Sequence, residues 1–190
     1  MSQQITEATL IVQTRAWVEQ VVVKYNFCPF AKPEVVHDRI RYQVFSGQDL
    51  EPLVAKLEQE YQYLEQNSAC ATTLLIVPML ESFTEYLAVL QLLEQQLEKA
   101  GYEGVFQLAS FHPEYVFADA EATDSANYTN RSPYPTFHIL REANLSVAID
   151  QNSWVDDIPA RNIDFTRRRG EVFWQRLLTE IKGEAGATKN

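Results

Sequence analysis

The six residues Thr72-Thr73-Leu74-Leu75-Ile76-Val77 limit the fold of this chain more than any other stretch, because an extended segment of this composition has no polar face. A strand of that kind belongs inside a sheet covered on both sides. Covered sheets need amphipathic helices as neighbours, and the sequence supplies them. From about Glu7 to Tyr25, Leu10, Trp17 and Val21, with the parallel row Val18 and Val22, recur at helical intervals. After Asp49, an expected N-cap, Leu50, Leu53, Leu57, Tyr61 and Leu64 keep the same period. Ser82-Phe83-Thr84-Glu85 is a capping-box pattern that opens a third helix, ended by Gly101.

Two further strands are expected. Arg39 to Phe45 alternates, with Ile40, Tyr42 and Val44 on one side, as near a sheet edge, and Val105 to Phe111 is mainly apolar. The order of elements predicts an α/β fold: a three-stranded or slightly larger, mainly parallel sheet with a βαβαβ core and flanking helices. The alternative is a ferredoxin-like α+β sheet with one antiparallel pair. Beyond these, Thr136 to about Val147 reads as a helix, Trp154 to Pro159 as a linker, and Asp164 as the cap of a last helix buried through Val172, Phe173, Leu177 and Ile181. With 190 residues, 46% of them hydrophobic, and no shift in composition, a single domain is expected over residues 1–181, followed by a disordered tail at 182–190.

A formal net charge of −10 repels phosphate backbones and anionic lipid, so no nucleic-acid or membrane partner is expected. Cys28 and Cys70 are the sole cysteines, too few for a disulfide framework. The N-terminus lacks the basic start and apolar run of a signal peptide, so a cytoplasmic location is expected.

Residues 111–142 concentrate polar groups that a fold alone does not require. His112 and Glu114 follow the third strand, Asp119, Asp124, Asn127, Asn130, Arg131 and Ser132 crowd the next twenty positions, and His138, Arg141 and Glu142 close the segment. In parallel sheets ligands collect beyond the strand C-termini, where His112 would lie. Ser132 before Pro133, or Thr136 after Pro135, would put a hydroxyl at a helix start and favour an anion, gripped by Arg131 and Arg141, with Asn127 and Asn130 beside it. Against that, Arg131 pairing with Asp119 or Asp124 would simply hold the loop. On a helix, His138 and Glu142 share a face, as a general base and its orienter do. A transition metal would need His112, His138 and a carboxylate such as Glu114 or Asp124, though no dedicated ligand spacing is present. Ordinary hydrogen-bonded histidines are the competing account. Cys28 is a nucleophile candidate if Pro29 starts a helical turn, and a packed thiol otherwise. A Cys-Pro dipeptide is also compatible with haem ligation, on an unspecific signal.

The segments Asn26-Phe27-Cys28-Pro29-Phe30-Ala31, Phe111-His112-Pro113 and Thr129-Asn130-Arg131-Ser132-Pro133-Tyr134-Pro135, followed by His138 and Arg141-Glu142, resemble a bacterial family, the domain of unknown function DUF1415. The likeness runs from the first helix to the last. It implies that Cys28, His112, Asn130, Arg131, Ser132 and His138 are hallmark positions, and it implies no reaction or cofactor.

Two functions follow as expectations. One is an enzyme acting on a small anionic substrate in a cleft lined by Cys28, His112, Arg131 and His138, by acid–base or metal-assisted chemistry. The other is a non-catalytic module that binds a small ligand or partner in the same cleft.

Overall fold

The computed structural model describes residues 5–143 and 157–183. Thr6 caps the first helix, α1 (Glu7–Trp17), its hydroxyl oxygen accepting from the Thr9 N–H at 3.2 Å. The helix does not stop at Trp17 but widens into π-turns over Val18–Val23. Asn26, in the left-handed region at φ 57°, then turns the chain into the short α2 (Ala31–Val36). There follow β1 (Ile40–Val44), α3 (Leu50–Gln66), β2 (Thr72–Ile76), α4 (Phe83–Lys99) and β3 (Phe106–Phe111). The capping oxygen of Ser82 and the positive φ of Gly101 bound α4 as the sequence predicts. After a 3-10 turn at Ser125–Thr129 come β4 (Thr136–Arg141), α5 (Ile158–Arg169) and α6 (Glu171–Ile181).

The fold is a mixed α/β arrangement around a four-stranded sheet of order β1-β2-β4-β3. β1 pairs parallel with β2, but β2 and β3 do not touch: β4 lies between them, antiparallel to both. The mainly parallel βαβαβ sheet is therefore corrected. β1, β2 and β3 do run the same way, yet two of the three pairings are antiparallel, one more than the ferredoxin-like alternative allows.

The cause is one segment read with the wrong period. Thr136-Phe137-His138-Ile139-Leu140-Arg141 is a strand, not the start of a helix. Pro135 holds the preceding residue extended, and β-branched and aromatic residues suit a pleated surface between two partners. Of the rest of the expected helix, Glu142 and Ala143 are helical and residues 144–147 lie outside the described residues, as does Trp154 of the expected linker, whereas Ile158 and Pro159 already open α5. Asp164 sits inside α5 rather than capping the last helix. That helix starts after Gly170, whose φ of 78° breaks the two apart.

Helices cover both faces. α3 and α4 bury Leu57, Tyr61, Tyr86 and Leu93 against Leu75, Phe137 and Phe106. On the other face Trp17 and Val21 of the first helix, with Trp174 of α6, pack on Leu74 and Tyr42. Glu60, 1% exposed, ties α3 to the edge strand, accepting from Arg41 Nε at 2.7 Å and pairing with Lys56 Nζ at 3.0 Å. A buried carboxylate is tolerable only with such compensation.

Candidate functional site

The polar residues of 111–142 do not converge. His112 is fully buried on the α4 face of the sheet, its ring against Phe83 and Tyr86. The Glu114 N–H donates to Nδ1 at 3.0 Å, so the ring hydrogen sits on Nε2 and is given to the Leu80 carbonyl at 2.9 Å. Both nitrogens are satisfied, and burial holds the pKa below the ordinary imidazole value. His138 lies on the opposite face, across from Leu74 and Ala109. The two histidines thus have the sheet between them.

The loop before β4 satisfies itself. Asn127 accepts from the Phe117 N–H at 3.1 Å and donates to the Glu121 carbonyl at 2.8 Å. Asn130 donates to the Ser110 carbonyl. The Ser132 and Thr136 hydroxyls both donate to the Tyr134 carbonyl, and no helix begins beside them, so the expected anion-binding helix start is absent. Arg131 pairs with neither Asp119 nor Asp124. It donates to the carbonyls of Tyr115 at 3.1 Å and Ala122 at 2.7 Å and lies 4.6 Å over the Tyr128 ring, beside a depression of about 630 Å³ that it shares with Glu114 and Lys182. Asp124 caps the 3-10 turn and pairs with Arg167 at 2.6 Å, and that guanidinium holds its carboxyl below the usual range.

At the far end of β4, Arg141 points to the α3 face and donates to the carbonyls of Leu64, Asn67 and Cys70, closing the C-terminus of α3. Glu142 follows the strand instead of sharing a helical face with His138. The strand from His138 to Arg141 alone spans about 10 Å, too far for the expected base-and-orienter contact. Glu114 is exposed. Among the described residues no three His, Cys, Asp or Glu side chains come together in a way that would hold a metal ion.

Three of the expected site residues do share one cavity. It measures about 590 Å³ and lies between the sheet and the first helix, with apolar walls that include Val18, Val22, Phe30, Leu74 and Phe111, and Cys28, His138 and Arg141 all line it. Arg39 and Glu34 also line it, but neutralise each other at 2.8 Å. Burial alone pushes the His138 imidazole down to about 4, so the ring is neutral at physiological pH. Its tautomer is fixed by Thr72. The Thr72 hydroxyl donates its one hydrogen to the Ile139 carbonyl at 2.5 Å, and can only accept from His138 Nε2, 2.7 Å away. Nδ1 then carries a lone pair with no partner among the described residues.

Cys28 sits just before α2, where the Phe30 and Ala31 N–H groups face its sulfur. Burial outweighs them and pushes the thiol up.

Thr72 and Trp17 were not among the expected site residues. Thr72 carried a faint signal, a hydroxyl at the head of an interior strand. Trp17 carried none, since it falls on the buried stripe of α1 like any core residue.

No significant similarity to a curated protein or to a solved structure was found. A family model described as protein of unknown function (DUF1415) matches residues 9–176, most of the chain's length, and the chain belongs to that family.

Proposed function

We propose that this protein binds a small, uncharged and largely apolar molecule in the cavity between the first helix and the sheet. The observation that carries the reading is His138: a neutral ring, its tautomer set by Thr72, whose Nδ1 lone pair has no partner among the described residues, on a mainly apolar wall. Pockets with apolar walls and a few fixed polar groups are how proteins hold small ligands. Catalysis is less well supported. An activated nucleophile has a lowered pKa and a general base titrates near the working pH, whereas the Cys28 thiol is raised and His138 is depressed. An anion fits the cavity poorly, because of the two arginines that line it Arg39 is already paired with Glu34 and Arg141 is held by the carbonyls of Leu64 and Cys70. Two free thiols accord with a reducing, cytoplasmic setting, and no helix among the described residues is long and apolar enough to cross a membrane.

The test is a matched pair of dyes. N-phenylnaphthylamine is neutral and carries one N–H; anilinonaphthalene sulfonate has the same rings plus a fixed negative charge. The neutral dye is expected to bind one per chain and at least about tenfold more tightly than the sulfonate, and Ala109→Phe, which fills the cavity from β3, should remove the binding. Tighter binding of the sulfonate would restore the anionic ligand, and binding of neither dye would overturn the reading.

A second reading, an enzyme using Cys28 as nucleophile, rests on the two N–H groups at its sulfur. The pH profile of thiol alkylation decides it: an apparent pKa below the ordinary thiol value would favour the enzyme.

A further inference from the structure

The polar side chains on the cavity wall, Trp17 apart, are those of Cys28, Glu34, Arg39, Thr72, His138 and Arg141. Most of their polar atoms are already engaged. The Glu34 carboxylate takes the Arg39 guanidinium at 2.8 and 3.0 Å. Arg141 donates to the carbonyls of Leu64 and Cys70, and the Cys28 sulfur is met by the Phe30 and Ala31 N–H groups. The Thr72 hydroxyl gives its hydrogen to the Ile139 carbonyl and takes one from His138 Nε2. What remains is the other ring nitrogen, His138 Nδ1.

That atom is not shut away. Among the described residues, the partnerless polar side-chain atoms with almost no accessible surface belong to Thr14, Trp17, Glu34 and Tyr61, and of these Glu34 Oε2 is nonetheless 2.8 Å from Arg39 Nε. Trp17 therefore lines the cavity with ring carbons. His138 Nδ1 has no partner among the described residues but is not one of those sealed atoms, so it keeps accessible surface. Its ring is half-buried, and its cross-strand neighbours Leu74 and Ala109 line the same cavity.

What Nδ1 offers a ligand depends on residue 72. A neutral imidazole donates from one nitrogen and accepts at the other. Because the Thr72 oxygen holds the Nε2 hydrogen, Nδ1 is a bare lone pair, and a chain of hydrogen bonds runs from the cavity through ring and hydroxyl to a backbone carbonyl, each polarising the next. A side chain without an oxygen at position 72 would leave the ring free to carry its hydrogen on either nitrogen.

We propose, resting on the cavity reading above, that the cavity selects neutral ligands bearing an O–H or N–H donor, and that Thr72 is the positioning residue that sets this preference by holding His138 in its acceptor form. A ligand of the same shape with an ether or carbonyl oxygen at that point sets lone pair against lone pair. It is rejected because Nδ1 then goes unpaired.

Indole and benzofuran test this, since they share size and shape and differ in one group, N–H in the first and a ring oxygen in the second. Each is measured by displacement of bound N-phenylnaphthylamine. Indole is expected to bind about fivefold more tightly, the effect of one net hydrogen bond. In His138→Phe the dye should stay bound while the two affinities converge to within about twofold. In Thr72→Val, a residue suited to an interior strand, they should converge as well, although the imidazole is still present. Should either variant not fold, proton–nitrogen correlation NMR of His138 in the unaltered protein gives the answer: Nε2 protonated, Nδ1 bare, and the Nδ1 resonance moving upfield with indole but not with benzofuran. Equal affinities in the unaltered protein, tighter benzofuran, a gap that survives in His138→Phe, a hydrogen on Nδ1 or an unmoved Nδ1 resonance would each overturn the selection while leaving the cavity reading intact. A gap that closes in His138→Phe but survives in Thr72→Val would overturn the part assigned to Thr72. Failure of the dye itself to bind would overturn both readings.

Discussion

An imidazole inside a fold has two ways to be satisfied, and the buried His112 and the half-buried His138 divide them. His112 gives its hydrogen to Leu80 and takes one from Glu114, so nothing remains for a ligand. His138 donates to Thr72 and keeps a lone pair. The pH response follows. The folded state holds His138 at about 4, below its ordinary 6.5, so the unfolded chain takes up the proton first, and stability falls as pH drops from about 6.5 to about 4. Below that window this group adds no further loss. Its contribution over the window is at most about 3 kcal/mol. His112, shifted the same way, adds to the slope. Urea midpoints measured against pH should therefore slope less steeply in His138→Phe than in the unaltered protein; identical slopes would mean that the ring is charged in the fold. The density of polar residues at 111–142 was legible as a set of groups needing partners. Whether a partner is a ligand or the chain's own carbonyl is not written in residue type. Asn127, Asn130, Arg131 and Ser132 all turned out to bond the loop to itself.

At the level of the element, the legible parts were those with one dominant period. The buried stripe of α1, that of α3 from Leu53 onward with Leu50 left exposed, and the wholly buried β2 fall where the sequence places them. β4 satisfies two periods at once: Phe137 and Leu140 are three apart, Phe137 and Ile139 two apart. What decides between them is a pair of neighbouring strands far away in sequence, which no local pattern reports. The choice redefines its residues. Arg141, a candidate for a ligand grip, becomes the end of a strand and caps α3, and Glu142, a candidate catalytic carboxylate, falls just beyond that strand. Arg141→Met should therefore cost about 1 to 3 kcal/mol, since three carbonyls lose a charged donor, while Glu142→Gln should stay within about 0.5 kcal/mol. Chemical denaturation measures both. A large effect of Glu142→Gln on dye binding would revive its link to His138.

For the whole molecule, the sheet is a partition. The α3–α4 face is closed by Tyr61, Tyr86 and Phe137, with Tyr86 Oη donating to the Thr136 carbonyl at 2.8 Å and accepting from the Phe111 N–H at 3.1 Å. The α1 face keeps the cavity. Amide exchange should rank the strands by position: Thr73–Ile76 and Phe137–Ile139, in the two central strands, slowest and limited by global unfolding, with β1 and β3 opening earlier at the edges. Faster exchange in β4 than in β1 would contradict that order.

The central place of β4 also sets a timetable. Until residues 136–141 have emerged from the ribosome, β3 has no neighbour in the sheet and α4 has no complete floor to rest on. The nascent chain must carry a finished first half, β1-α3-β2, with one open flank for some sixty residues of further synthesis, and late arrival of a keystone strand slows folding and leaves an unpaired edge to be shielded meanwhile.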